Sequence, residues 1–217
     1  MKVGVLGTGS VGTAIGTRLI ELGHEVRMGS RQAGNEKAVT WAESLGGRAS
    51  SSDFADAASF GQVVFNCTAG EGSVNAVTSA KDGLAGKLLI DVANVLDFSN
   101  GPPPVIPATD RDSLAEQIQR AVPEAHVVKS LNTVNNDVMV DPARVPGDHV
   151  IFLSGDDQEA KRQAAGLLGE FGWPEDRVID LGDITTARGP EMYVGLWIRL
   201  MGALGSSQFN VGLFRSD

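Results

Sequence analysis

The sequence predicts an α/β protein with a doubly wound parallel sheet and helices on both faces. Short apolar segments typical of strands alternate with segments in which apolar residues recur at helical spacing. The strand segments 62–67 and 87–92 are largely apolar, which is typical of strands buried on both faces. A glycine-rich turn joins the first strand directly to the first helix. Because parallel strands need crossover connections, we expect the helices to cover the sheet.

Length and composition limit the class of protein. A chain of 217 residues is expected to form one large domain, or one domain with a small appendage. We assign residues 1–145 to the doubly wound domain and 146–217 to a small C-terminal αβ lobe. The hydrophobic share of 42% and the charged share of 21% are typical of a folded chain. The net charge of −9 argues against a nucleic-acid partner.

The sequence also predicts where the protein resides. No apolar run approaches the roughly 18 to 20 residues that cross a bilayer. The first residues enter a strand pattern without the layout of a signal peptide. We therefore expect a cytoplasmic protein with no membrane partner.

Apolar spacing and helix-stop residues predict the elements of the first half. Residues 2–6 form a strand, and apolar residues recur at helical spacing from Val11 to Leu22 until Gly23 ends the helix. The further elements expected here are a strand at 24–28, a helix at 35–45, an extended stretch at 48–50, a brief helical turn from 53, a strand at 62–67, a helix before residue 87 and a strand at 87–92.

A long irregular stretch opens the second half, at 96–110. Its three consecutive prolines forbid a helix or a central strand, and such a loop in a compact domain is usually functional or a crossover. The elements expected after it are a helix at 112–121, strands at 125–131 and 149–154, a helix at 157–171, a strand at 177–180 and an apolar helix at 190–204.

The turn after the first strand has the pattern GxGxxG. It consists of Gly7, Thr8, Gly9, Ser10, Val11 and Gly12. A strand before it and a helix after it are the context that a dinucleotide-binding Rossmann domain requires. The first glycine permits the tight turn, the second lets backbone approach the pyrophosphate, and the third lets helix pack on strand. We predict that these residues bind a dinucleotide at the helix N-terminus; a purely structural turn is the alternative.

The end of the second strand favours NADP over NAD. An acid at this place binds the ribose 2′-hydroxyl of NAD, whereas this chain has Ser30 and Arg31. A guanidinium forms charge-assisted hydrogen bonds with a 2′-phosphate, and a hydroxyl extends them. The alternative is that Arg31 is an ordinary solvated surface charge.

The carboxyl ends of the later strands carry small and polar residues. Thr68 and Ala69 follow one strand, Asn94 follows the next, and Asn132 and Thr133 follow the third. Open α/β sheets bind ligands beyond these ends. We expect the first three to contact ribose or nicotinamide, although Asn94 has the alternative role of capping its turn. Asn132 and Thr133 suit a second ligand beside the nicotinamide.

Metal and acid–base chemistry are not expected. The histidines, at positions 24, 126 and 149, are too scattered for a local metal motif. Cys67, the single cysteine, lies in an apolar strand and is expected to be a small core residue. We assign no catalytic residue, because the sequence contains no evident catalytic dyad and no GxSxG nucleophile motif.

Several motifs resemble those of a known family. They are GTGSVG at 7–12, GSR at 29–31, KSLNT at 129–133, GDD at 155–157, and the ending with LGD, ARGPE and an apolar helix. The chain resembles the NADP oxidoreductases that depend on the deazaflavin coenzyme F-420, also written F420, and the reductase-like domain of membrane metalloreductases. This resemblance implies a Rossmann domain and a small C-terminal lobe with the deazaflavin between them. One position departs from the resemblance: archaeal enzymes known to use F-420 look like they carry histidine where this chain has Asn132.

The leading hypothesis is an NADP-dependent oxidoreductase that moves a hydride between NADP(H) and F420 or a related small-molecule acceptor. One alternative is a nonenzymatic NADP-binding redox sensor. Another is an imine or β-hydroxyacid reductase, although such enzymes need a larger helical second domain than the chain after residue 145 offers.

The terminal helix predicts a homodimer. Its apolar stripe comprises Met192, Leu196, Trp197, Leu200, Met201 and Leu204. Such a stripe is too large to leave in water, and a symmetric dimer is the commonest way to cover one. Packing within the chain is the alternative.

Overall fold

Two parallel sheets organise the computed structural model, which describes residues 1–107 and 111–216. The strands are β1 (Lys2–Leu6), β2 (Glu25–Ser30), β3 (Ala49–Asp53), β4 (Val63–Asn66), β5 (Leu88–Asp91), β6 (His126–Lys129), β7 (Ile151–Leu153) and β8 (Val178–Asp180). The helices are α1 (Ser10–Glu21), α2 (Glu36–Leu45), α3 (Phe54–Phe60), α4 (Gly70–Ser79), α5 (Lys81–Leu84), α6 (Leu114–Ala121), α7 (Asn136–Val140), α8 (Gln158–Phe171) and α9 (Arg188–Leu204).

The larger sheet has the order β3-β2-β1-β4-β5-β6, and every neighbouring pair is parallel. The order reverses between β1 and β4, which creates the crevice where doubly wound sheets bind ligands. Neighbouring residues of β4 face opposite cores: Phe65 packs in one buried cluster with Ile15, and Val64 packs in the other with Leu89. The predicted fold class is confirmed.

Three segments differ from the sequence prediction. The extended stretch at 48–50 is a full strand, β3, whose polar sequence ASSSD suits an edge position. The brief turn from residue 53 is the seven-residue helix α3, which the Asp53 carboxylate caps by accepting from the Asp56 N–H at 2.8 Å. Residues 136–140, for which no element was predicted, form α7.

Residues 97–105 of the proline-rich stretch form a hairpin-like arm. Asp97 and Val105 form an antiparallel bridge, with N···O distances of 2.9 and 2.8 Å. Residues 108–110 of the predicted loop lie outside the described residues. The arm therefore folds back on itself before the chain reaches α6.

The C-terminal lobe packs on the main sheet. Strands β7 and β8 pair in parallel, and a bridge between Lys129 and Ser154 ties the lobe to the end of β6. Phe171 of α8 lies in the same buried cluster as Phe65, with ring centroids 6.2 Å apart. The division of the chain at residue 145 stays a prediction. None of the described helices has the length and apolar character needed to cross a membrane.

Candidate functional site

A cleft of about 750 Å³ opens at the carboxyl ends of β1, β4, β5 and β6. Its walls come from the glycine turn, the turns after these strands, the proline-rich arm, α7 and α9. Its lining comprises Gly9, Ser10, Val11, Cys67, Thr68, Ala69, Val92, Ala93, Asn94, Leu96, Phe98, Pro102, Pro103, Pro104, Asn132, Val134, Asn135, Asn136, Met139, Val194, Trp197, Ile198 and Met201. This is the edge at which open α/β sheets bind ligands.

The three glycines of the turn meet three different constraints. Gly7 has φ of 121°, and a Cβ there would lie 2.5 Å from the Cys67 carbonyl oxygen. A Cβ on Gly12 would lie 2.2 Å from the Gly7 carbonyl oxygen. At Gly9, in contrast, a Cβ would meet nothing within 4 Å. The first and third glycines therefore serve packing, whereas the second borders open space in the cleft, as a close-approaching ligand requires.

The first helix presents its N-terminus to this space. Gly9 is its N-cap residue, and no side chain in the described part of the chain caps it. Thr8 is half-buried and Ser10 is exposed. A helix that begins on a glycine leaves its first N–H groups available to an anion.

Ser30 and Arg31 follow as β2 ends. Ser30 is buried, and its hydroxyl donates to the Gln32 carbonyl at 2.6 Å. Arg31 is exposed, and no hydrogen bond or ion pair within residues 1–107 and 111–216 engages its guanidinium. The serine thus shapes the turn that presents the arginine. Neither residue belongs to the cleft lining, and the assignment to a 2′-phosphate stays a prediction.

Thr68 and Ala69 form the turn after β4. The Thr68 hydroxyl donates to Asn66 Oδ1 at 2.7 Å and lies 2.7 Å from the Ser73 hydroxyl. Ala69 is exposed at the N-cap of α4, where no described side chain caps the helix. A second uncapped helix N-terminus therefore borders the cleft.

Asn94 and Asn132 bind each other across the ends of β5 and β6. The Asn94 amide donates to the Asn132 carbonyl at 2.8 Å, and the Asn132 amide donates to Asn94 Oδ1 at 3.0 Å. Leu131 precedes this pair with φ of 62°, a left-handed conformation that is rare for a buried leucine. Both asparagines line the cleft, whereas Thr133 is buried and does not.

A buried ionic cluster beneath the cleft was not predicted. Lys129 Nζ lies 2.7 Å from Asp91 Oδ2 and 3.0 Å from Glu191 Oε1, and all three side chains are almost fully buried. Burial opposes the charge on Lys129, but the two carboxylates outweigh it and raise its pKa above the ordinary value. The available sequence signal was a lysine and an aspartate at the ends of apolar strands, since buried charges need partners.

The described lining of the cleft is uncharged and mostly apolar. Within the described ranges, no aspartate, glutamate, histidine, lysine or arginine lines the cleft. Its titratable side chain is the Cys67 thiol, and burial raises the pKa of that thiol far above its ordinary range. Such walls are suited to orienting flat rings and excluding water, rather than to proton transfer.

The fold and this cleft define the class of a dinucleotide-dependent oxidoreductase. Residues 2–95 match the family described as NADP oxidoreductase, coenzyme F420-dependent. The F420-dependent NADP reductase of Methanothermobacter marburgensis is 30% identical over 212 residues, covering 92% of each chain. The chain belongs to this family, and it is an NADP-dependent oxidoreductase.

Two further proteins are similar to this chain. A crystal structure of a candidate F420-dependent NADP-reductase from Arthrobacter sp. FB24 superposes with a TM-score of 0.92 at 47% identity, covering 99% of this chain and 100% of that one. The rat metalloreductase STEAP3 is 30% identical over 197 residues, which is 88% of this chain. The present chain spans 36% of that longer protein.

Proposed function

We propose that this chain is a cytoplasmic enzyme that transfers a hydride between NADP(H) and F420 or a close deazaflavin relative. One observation carries the proposal: a single cleft joins the glycine turn, the strand ends and α9. NADPH lies along the turn and strand ends, and the acceptor lies between them and α9. The family to which the chain belongs supports this pairing of ligands.

The residues present fit a bound NADP(H). We place the pyrophosphate against Thr8, Gly9, Ser10 and Val11, in the turn whose shape Gly7 and Gly12 maintain. The open space at Gly9 and the uncapped α1 N-terminus support this placement. Arg31 holds the 2′-phosphate, because its guanidinium is exposed and unengaged in the described structure. Ser30, whose hydroxyl donates to the Gln32 carbonyl, shapes the turn that presents the arginine instead of extending the contact. Thr68, Ala69 and Asn94 border the nicotinamide ribose.

The acceptor contacts a different set of residues. Asn132 borders it from the end of β6, and the apolar side chains of Val194, Trp197 and Ile198 border it from α9. Asn132 neither gains nor loses a proton at ordinary pH, so it holds the ring by hydrogen bonding alone.

The chemistry is hydride transfer controlled by position. Bound NADPH would supply the hydride and leave as NADP⁺, and the acceptor would take up that hydride and one proton. Because charged side chains are absent from the described lining, we assign the proton to solvent at the cleft mouth. The protein aligns the two rings and keeps water from the reacting carbons.

Stopped-flow absorbance under anaerobic conditions tests the proposal. The protein is mixed with NADPH and, separately, with F420, a flavin and a quinone. We expect NADPH-dependent reduction of F420 that is faster than that of the other acceptors. Rapid reduction of another acceptor and none of F420 would reject the deazaflavin. Tight NADPH binding without turnover of any acceptor would favour the redox sensor.

We also propose a homodimer through α9. Met192, Leu196 and Leu204 are 48%, 55% and 60% exposed, whereas Trp197 and Met201 of the predicted stripe line the cleft. The exposed part of the helix is thus narrower than the sequence indicates but still apolar. Light scattering at micromolar concentration tests this, since a mass near 22.7 kDa would identify a monomer.

A further inference from the structure

A buried chain of hydrogen bonds joins three walls of the cleft. We propose that Lys129, at its centre, is a positioning residue that fixes the turn after β5 and helix α9 relative to each other. This inference rests on the proposed site, in which those two walls border the nicotinamide and the acceptor. Lys129 itself does not line the cleft, so it acts through the groups that it holds.

Lys129 has as many partners as it has ammonium hydrogens. Its Nζ donates to Asp91 Oδ2 at 2.7 Å, to Glu191 Oε1 at 3.0 Å and to the Ala93 carbonyl. An ammonium group has three N–H donors, so each has an acceptor. The group is therefore held in one place, and its partners come from two walls.

The first wall is the turn after β5. Asp91 Oδ1 accepts from the Ala93 N–H at 3.3 Å, while Lys129 donates to the Ala93 carbonyl. Both backbone polar groups of Ala93 are therefore bound by this ion pair. Ala93 and its neighbour Asn94 line the cleft, so the pair determines where this part of the wall lies.

The second wall is the turn after β4. Asn66, which is fully buried, donates from its amide to Asp91 Oδ1 at 2.7 Å. Its Oδ1 accepts from the hydroxyl of Thr68 at 2.7 Å and from the Thr68 N–H at 3.3 Å. Asp91 thus extends the network from Lys129 to a second lining residue.

The third wall is α9. Besides Lys129, the Glu191 carboxylate accepts from the N–H groups of Leu114 at 2.8 Å and Ala115 at 3.1 Å, in the first turn of α6. Val194 and Ile198, one and two turns further along α9, line the cleft. The position of Glu191 therefore sets the position of this wall.

The positive charge of Lys129 stabilises the two buried carboxylates beside it. Without it, the Asp91 and Glu191 carboxylates would face each other in a dry interior, and repulsion would push the two walls apart. The Ala93 carbonyl would also lose its donor. Hydride transfer is sensitive to this, since a misplacement of about 1 Å costs about 100-fold in rate.

Lys161 offers a matched control. It is also buried, its Nζ lies 2.8 Å from Asp180 Oδ1, and it donates to the Gly182 carbonyl at 3.0 Å. None of these three residues lines the cleft. Replacing either lysine by methionine removes a buried ammonium group from its ion pairs. The partner of Lys161 is exposed and lies outside the cleft walls, whereas the two partners of Lys129 are buried and join those walls.

The experiment compares Lys129→Met with Lys161→Met by two measurements. In single turnovers at saturating NADPH and acceptor, we expect a rate loss of about 100-fold for Lys129→Met and less than about 2-fold for Lys161→Met. In hydrogen exchange of the protein without ligands, Lys129→Met should expose the amides of 66–69, 92–95 and 191–201 together. Lys161→Met should expose those of 158–182.

Equal rates in the two variants, or exchange in Lys129→Met that rises in one wall alone, would overturn the proposal. The exchange comparison needs no acceptor, so it decides the point even if F420 and the other acceptors are not reduced. If Lys129→Met does not fold, Glu191→Gln replaces it. That variant keeps the side-chain volume and should raise exchange in 191–201 while leaving 66–69 protected; unchanged exchange in 191–201 would equally reject the proposal.

Discussion

The two sides of the cleft are built in different ways. The proposed nucleotide side is built mainly on a continuous turn, Gly7 to Gly12, whose geometry depends on the glycines within it. The acceptor side is assembled from the proline-rich arm, the turn after β6 and α9, which are distant in sequence. The first is determined by backbone conformation and the second by tertiary packing. Local sequence therefore predicts the proposed nucleotide side, whereas the shape of the proposed acceptor side depends on how distant segments pack.

The largest effect should come from the backbone contact beneath the glycine turn. In Gly12→Ala the new Cβ would lie 2.2 Å from the Gly7 carbonyl oxygen, so α1 must move away from β1. We expect a loss of about 3 kcal/mol in the free energy of unfolding and no measurable NADPH binding. Denaturant titration and calorimetry measure these two quantities.

Gly9→Ala is the control for that contact. Its Cβ would meet no atom within 4 Å, so stability should stay within about 0.5 kcal/mol while NADPH binding weakens because the backbone can no longer approach the pyrophosphate. If Gly9→Ala binds NADPH normally, the ligand does not approach this face of the turn.

Low pH should lower the free energy of unfolding through an ion pair on the acceptor side. Arg188 of α9 donates to Glu116 of α6 and, with the backbone and hydroxyl of Ser113, lowers the pKa of that carboxyl from 4.5 to about 2. A lowered pKa gives stability that is present above pH 4.5 and is lost as pH falls toward 2, by at most about 3 kcal/mol. Urea titrations between pH 5 and 2 should show this slope, and Glu116→Gln should flatten it.

The next prediction concerns the proposed contact between Arg31 and the 2′-phosphate on the nucleotide side. Arg31→Ala should weaken NADP(H) binding by about 1.5 to 3 kcal/mol, the usual range for a hydrogen bond to a charged group. NAD(H) binding should hardly change. Arg48→Ala, which removes another exposed arginine, is the control in calorimetry. An equal loss for both nucleotides would show that Arg31 does not recognise the phosphate.

The smallest expected effect is that of replacing Asn132, which lies where the two sides of the cleft meet. Asn132→Leu removes the donor to Asn94 Oδ1, so it should weaken acceptor binding and also NADPH binding, the latter by about 1 kcal/mol. Fluorescence titration with each ligand measures the two constants. Normal NADPH binding in this variant would mean that the asparagine pair serves the acceptor side alone.

The sequence predicted elements with strong local signals. Spacing located β1, α1 and the buried strands, and the glycine turn is where the motif places it. The polar strand β3 was seen only as a short stretch, because an edge strand needs little apolar character. The helix α7 is too short for periodicity to reveal.

The cluster around Lys129 was missed for a different reason. Asp91, Lys129 and Glu191 belong to different elements, and pairing between them depends on the sheet register and on how α9 docks. A lysine that ends an apolar strand indicates that a partner exists without indicating which one. The residues that line the acceptor side also come from distant elements, so their proximity likewise depends on tertiary packing.

Helix α9 carries constraints on more than one face. Glu191 belongs to the ionic cluster, Val194 and Ile198 line the cleft, and Leu196 lies on the exposed apolar face that we propose as the dimer interface. Substitutions in α9 therefore affect the ionic cluster and the cleft lining together. The arm at 96–104 lines the same cleft and carries the exposed Phe98 next to the Asp97–Val105 bridge. New acceptor preferences, in nature or in directed evolution, should therefore arise by changes in the arm while the helix stays fixed.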